Sequence, residues 1–201
     1  MRISETRLAG AFLIEIEPKW DQRGFFARTF CVQEFAAHGL VASFVQHSMS
    51  YSSARGTLRG MHFQRSPHSE IKVVGCHRGA IWDVIIDLRA GSPTFGQWEG
   101  FELSDSNRRR LYIPEGFAHG LQTLSEDAEV SYLISAFHNP AAAAGFRFDD
   151  PAFSISWPLP AAAVSDADRN WPDFLGSSLP LDGPANTARA PRLSGFRSTP
   201  L

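Results

Sequence analysis

The stretch Ile113-Pro114-Glu115-Gly116-Phe117-Ala118-His119-Gly120 decides how this chain is read. A proline and a glycine turn the backbone, and a mostly apolar run carrying one histidine follows, in the spacing P-x-G-x-x-H. Upstream, Gly56 is followed after five residues by His62, with Gln64 two positions further on. Around these two segments the chain is a series of short apolar runs. Ala11–Ile16, Lys72–Cys76, Gly96–Leu103 and Glu129–Ser135 each have strand length and composition. In Ala80–Leu88, the residues Trp82, Val84 and Ile86 alternate with Ile81, Asp83, Ile85 and Asp87, the period of a half-buried strand. Arg78-Gly79, Ala90–Pro93 and Pro114–Gly116 are the turns between them. One short helix is expected around Val32–His38, closed by Gly39 at its C′ position.

Short strands with 16 glycines and 13 prolines predict an all-β antiparallel sandwich or barrel with few helices. The P-x-G-x-x-H segment resembles the second motif of the cupins, and Gly56 to Gln64 resembles the first. The resemblance implies a cupin-type jelly-roll β-barrel. The cupin first motif reads H-x-H, however, and here Gln64 replaces its second histidine. Cupin metals take three histidines and a glutamate, because a borderline metal needs several imidazoles converging on it. Only His62 and His119 remain in register, so no metal is expected.

The 201 residues fit one domain, here 1–174, and from residue 175 to 201 Ser, Pro, Gly, Ala and Arg replace any periodicity, as in a mobile tail. The 19 basic and 21 acidic residues nearly cancel, which argues against nucleic-acid and membrane-surface partners and assigns any anionic ligand to a local cation cluster. No stretch approaches the ~20 apolar residues of a membrane span, and the charged start Met1–Arg7 lacks a long apolar leader, so a cytoplasmic protein is expected. Cys31 and Cys76 are too few for a disulfide framework and read as reduced thiols. The run Arg108-Arg109-Arg110 reads as a solvated turn.

A closer resemblance rests on many segments in order: Asp21–Phe26, Leu58–Gln64, Lys72, Gly91–Gly96, Ile113–Gly120, Asp149-Asp150-Pro151, Trp157-Pro158 and Ser165–Asp168. Together they are similar to the dTDP-4-dehydrorhamnose 3,5-epimerase family. That family inverts the carbons beside the ketone of a nucleotide-linked 4-keto-6-deoxysugar by proton transfer, with no cofactor. The resemblance implies His62 as base, Asp168 as its partner carboxylate, Lys72 beside the developing oxyanion, and Tyr132 as acid on the far face. It implies substrate contacts for Arg59 and His119, nucleotide or phosphate contacts for Arg23 and Gln46, and places Phe26, Arg28 and Ser48 at the substrate site. An imidazole suits the base because its ordinary pKa, near ~6.5, lies close to neutrality.

Read alone, each residue has a plainer role. Tyr132 fits packing in an apolar strand, Asp168 a turn cap, Lys72 an edge-strand charge, and Arg23 a turn tied to Asp21. The chain departs from the family at Arg28 and Ala143, where glutamate is usual, and at His47 and Ser48. These changes bear on substrate choice more than on proton transfer. A CDP- or GDP-linked sugar and inversion at one carbon are therefore alternatives. So are a metal-dependent oxygenase or isomerase using His62, Glu70 and His119, a ketoisomerase, and a non-catalytic binding barrel. Similar proteins form dimers that exchange N-terminal strands, which makes a homodimer the expected state.

Overall fold

A computed structural model describes residues 1–174; the tail reading of 175–201 lies outside the described residues. In chain order the strands are β1 (Arg2–Glu5), β2 (Phe12–Glu15), β3 (Lys19–Asp21), β4 (Gly24–Phe26), β5 (Gln46–Ser52), β6 (Thr57–Gln64), β7 (Lys72–Arg78), β8 (Ala80–Asp87), β9 (Trp98–Ser104), β10 (Arg110–Ile113), β11 (Phe117–Thr123), β12 (Ala128–Ile134), β13 (Ala143–Gly145) and β14 (Ala163–Val164). Helix α1 (Val32–Ala37) follows β4, and α2 (Asp166–Arg169) follows β14. Gly39 follows α1 at φ +70°, the left-handed conformation its C′ position requires.

Two sheets form a jelly-roll barrel. The first runs β1-β2-β10-β7-β12-β5, the second β13-β6-β11-β8-β9, and β14 adds to β6 in parallel. β3 and β4 form a separate hairpin. Side chains two apart share a face, so each strand sends one set between the sheets. Val74, Cys76, Leu111 and Val130 of the first sheet meet Ile81, Ile85, Leu103 and Leu121 of the second, filling one end of that space. Along the same inward faces the residue type then changes. Lys72 lies two residues before Val74, Tyr132 two after Val130, and His119 two before Leu121. The same strands that build the core thus build a polar end.

The outer faces are covered as well. Phe35 of α1 packs with Ile14, Val73 and Tyr112 on the first sheet. On the second, Phe146 and Phe153 from the C-terminal part of the domain cover Val84 and Ile86. Burying each such side chain contributes about 1.5–3 kcal/mol. This corrects the half-buried reading of Ala80–Leu88: the alternation sorts two faces, but both are buried, and even Asp83 and Asp87 are fully enclosed. The solvated-turn reading of the arginine run is corrected at Arg110 alone, since Arg109 stays exposed. Arg110 opens β10 opposite Gly75, and burial pushes its guanidinium pKa down.

β6 and β11 touch backbone to backbone beside the polar end. Gly60 has φ +130°, and a Cβ there would lie 2.5 Å from Gly120 Cα. The pairing of these strands shifts register just past His119, which itself sits opposite His62. Gly60→Ala would meet both a backbone clash and a disfavoured φ, and a loss of about 2–4 kcal/mol is expected, read as a lower thermal midpoint.

Candidate active site

A cavity of about 870 Å³ opens between the two sheets at this polar end. Eight of the eleven residues singled out in the sequence line it: Gln46, Ser48, Arg59, His62, Lys72, His119, Tyr132 and Asp168. Gln46 and Ser48 come from β5, Arg59 and His62 from β6, Lys72 from β7, His119 from β11 and Tyr132 from β12. Segments nearly 110 residues apart in sequence meet here, because β14 pairs with β6 and delivers α2 beside it.

His62 and Asp168 form a close pair, Nε2 to Oδ1 at 2.5 Å. Ser165 caps α2 by accepting from the Asp168 N–H at 3.1 Å, so the cap reading passes from Asp168 to Ser165. The Asp168 carboxylate is thereby free to face β6, where its Oδ2 also accepts from the Gly60 N–H at 3.3 Å. Burial acts to raise the Asp168 pKa, but the His62 hydrogen bond and charge, with the Gly60 and Ser165 contacts, outweigh it and hold the pKa below the usual value. A depressed carboxylate contributes stability that is present above the unfolded value, near ~3.9, and lost as pH falls through the folded one. Asp168→Asn is therefore expected to flatten the fall in urea midpoint below about pH 4 relative to the natural chain.

Tyr132 faces this pair from the opposite sheet. Its hydroxyl shares a hydrogen bond with Ser50 Oγ at 2.9 Å, and burial pushes its pKa up to about 12, so it is a proton carrier at neutral pH. Its ring meets His119 edge-on, centroids 6.3 Å apart. His119 is buried and bonded through Nε2 to Asp83 Oδ1 at 2.8 Å. Asp83 was read only as part of a strand pattern, and nothing in the alternation marks it as the partner of a histidine 36 residues away. Lys72 lies between β10 and β12 in the sheet, not on an edge, and pairs with Glu70 at 3.0 Å. Arg59 is held by Ser52 Oγ and the Tyr51 carbonyl.

The donors that a metal-dependent reading needs line one cavity, but each is engaged by another side chain. His62 is engaged by Asp168, His119 by Asp83 and Glu70 by Lys72. Among the described residues no three His, Cys, Asp or Glu side chains converge as a ligand group. Gln64, at the cupin histidine position, accepts from the Asn139 N–H at 2.6 Å and donates to the His68 carbonyl at 2.9 Å, clasping two loops at the cavity end.

Arg23, Phe26 and Arg28 do not line the cavity of a single chain. Arg23 is tied to Asp21 in the β3–β4 hairpin, Phe26 is 77% exposed, and Arg28 pairs with Glu34.

A histidine–aspartate pair on the side of one sheet and a buried phenol and a lysine from the other line this one cavity. Residues 5–175 match the profile described as dTDP-4-dehydrorhamnose 3,5-epimerase. The dTDP-4-dehydrorhamnose 3,5-epimerase of Methanothermobacter thermautotrophicus is 45% identical over 173 residues, 85% of this chain and 92% of that one. The Streptomyces niveus protein named dTDP-4-dehydrorhamnose 3-epimerase is 39% identical, over 85% of this chain and 82% of its own. The crystal structure of the 3,5-epimerase from Elizabethkingia anophelis superposes with a TM-score of 0.84 at 40% identity, covering 87% of this chain and 96% of that one. The chain belongs to the dTDP-4-dehydrorhamnose 3,5-epimerase family. No helix among the described residues is long and apolar enough to cross a membrane.

Proposed function

We propose that the protein is an epimerase that inverts C3 and C5 of a nucleotide-linked 4-keto-6-deoxysugar, dTDP-4-dehydro-6-deoxyglucose. The observation that carries this reading is the placement of a base dyad on one sheet and a buried proton donor on the other, across one cavity. A sugar ring lying between the sheets is reached from both faces. His62 takes the proton from the carbon beside the ketone, and Asp168 steadies the imidazolium. The electron pair moves to the ketone oxygen, where the Lys72 ammonium meets the negative charge. Tyr132 returns a proton from the far face and the configuration inverts; solvent then reprotonates the phenolate and takes the proton from the imidazolium. His119 and Arg59 contact the sugar and pyrophosphate, with Gln46 and Ser48 along the β5 wall.

The relative named a 3-epimerase makes inversion at C3 alone the second reading. Incubation with dTDP-4-dehydro-6-deoxyglucose in heavy water decides between them. Deuterium at both carbons is expected, deuterium at C3 alone supports the second reading, and none at either overturns both.

The working unit is a cytoplasmic homodimer in this reading. The β3–β4 hairpin exposes Trp20, Phe25 and Phe26 at 65%, 40% and 77%, an apolar surface that a second copy would cover. The same hairpin would bring Arg23 and Phe26, with neighbouring Arg28, to the partner's cavity. Sedimentation is expected to give twice the chain mass for the natural protein and a shift toward monomer for Phe26→Asp; a natural protein of single-chain mass overturns this assembly.

A further inference from the structure

Proton transfer as derived above uses Lys72 but leaves Glu70 without a task. Its side chain is 7% exposed and lies on the cavity wall, with Oε1 3.0 Å from Lys72 Nζ. The other oxygen, Oε2, is buried and has no hydrogen-bond partner among the described residues. A carboxylate oxygen held out of water without a donor is costly, and such groups concentrate where a ligand completes them. The segment is firmly held: the Ile71 N–H donates to Ser135 Oγ at 2.8 Å, and the Ile71 carbonyl accepts from the Ser135 N–H at 3.0 Å. Glu70 therefore holds Lys72 at the cavity wall through Oε1 and keeps Oε2 enclosed without a donor.

We propose that Glu70 is a further substrate-binding residue, whose Oε1 anchors Lys72 and whose Oε2 accepts a hydrogen bond from the sugar hydroxyl next to the ketone. This rests on the reading that the cavity takes a 4-keto sugar nucleotide. A ketone oxygen and the hydroxyl on the adjacent carbon lie about one hydrogen-bond length apart, so a carboxylate bonded directly to Lys72 is near enough to serve the hydroxyl when Lys72 meets the ketone. The pair thus recognises a vicinal hydroxy-ketone: Lys72 donates to the ketone and Glu70 accepts from the C3 hydroxyl. Fixing that hydroxyl also sets which way the ring faces His62 and Tyr132.

The test pairs a substrate change with a residue change. The natural protein and Glu70→Met, which keeps the length but loses the acceptor, are given the 4-keto-6-deoxysugar nucleotide and its 3-deoxy counterpart. Deuterium uptake at C5 gives kcat/KM, and calorimetry gives Kd. The natural protein is expected to prefer the 3-hydroxy compound by roughly 10- to 100-fold, the usual value of a hydrogen bond to a charged acceptor. Glu70→Met should narrow that preference to about 3-fold or less, since the hydroxyl then has no charged acceptor. An unchanged preference, with both compounds slowed alike, overturns the proposal and leaves Glu70 as a support for Lys72 alone. Absence of exchange with either compound in the natural protein counts against the epimerase reading instead, and the Kd ratios then decide on Glu70. Glu70→Gln is the second variant should Met disturb the fold, and it is expected to narrow the preference partway.

Discussion

Replacing His62 by alanine is expected to remove deuterium uptake at C3 and C5, with turnover falling roughly 100- to 10,000-fold, the range that a positioned general base supplies. The expectation follows from how the imidazole is held. Nε2 is committed to Asp168 at 2.5 Å, so the ring cannot turn away, and the other ring nitrogen is left to accept a proton. The C–H bond it attacks contributes little to binding, so kcat should fall while KM changes by only a few-fold, the pattern of an interaction made in the transition state. Alanine also strips a buried carboxylate of its partner, and His62→Gln is the matched control, because its amide reaches the Nε2 position and can still donate to Asp168. Both variants should lose exchange while the glutamine form keeps more stability. Exchange persisting in either variant at the natural rate would remove His62 from the mechanism and assign proton abstraction to another group.

The fold was readable because its strands alternate on a regular period and because Pro114–His119 sets a turn and a strand at a fixed offset. Local pattern could not show what lies over each strand. Ala80–Asp87 was read as half-buried because Asp83 and Asp87 interrupt one face, yet Asp83 is enclosed by His119, and Asp87 by Arg89, Ser92 and Thr94. A buried carboxylate with partners looks, in sequence, like a solvent-facing one. The site shows the same division. His62, Lys72, His119 and Tyr132, which the resemblance picks out, lie on strands and line the cavity directly. Asp168 reaches it only through the β14–β6 pairing, a contact with no local signal. Glu70 and Gln64 were weighed as metal ligands or their replacements, whereas tertiary contacts give one a lysine and the other two loops to hold. Arg23, Phe26 and Arg28 show the limit from the other side, since a single chain does not carry them to the cavity.

Tyr132→Phe is expected to separate exchange from inversion. The phenol is buried against Ser50, and with its pKa near 12 it stays protonated at any pH well below that value, ready to donate to an enolate formed on the opposite sheet's side of the ring. Removing only the hydroxyl leaves His62, Asp168 and Lys72 in place, so proton abstraction continues. The enolate is then reprotonated mainly by the imidazolium that formed it, on the face it came from. Deuterium therefore enters with retained configuration, while inverted product falls roughly 100-fold or more, the contribution of a lost general acid. The structural cost is small, about 1 kcal/mol for the broken pair with Ser50, and a thermal melt separates that loss from the kinetic one. NMR that follows label and configuration in one sample reads the outcome. A rise in the ratio of exchange to inversion places Tyr132 in the second half of the reaction. An equal fall in both would mean that the phenol only packs the cavity wall, and that the proton reaching the far face comes from another donor.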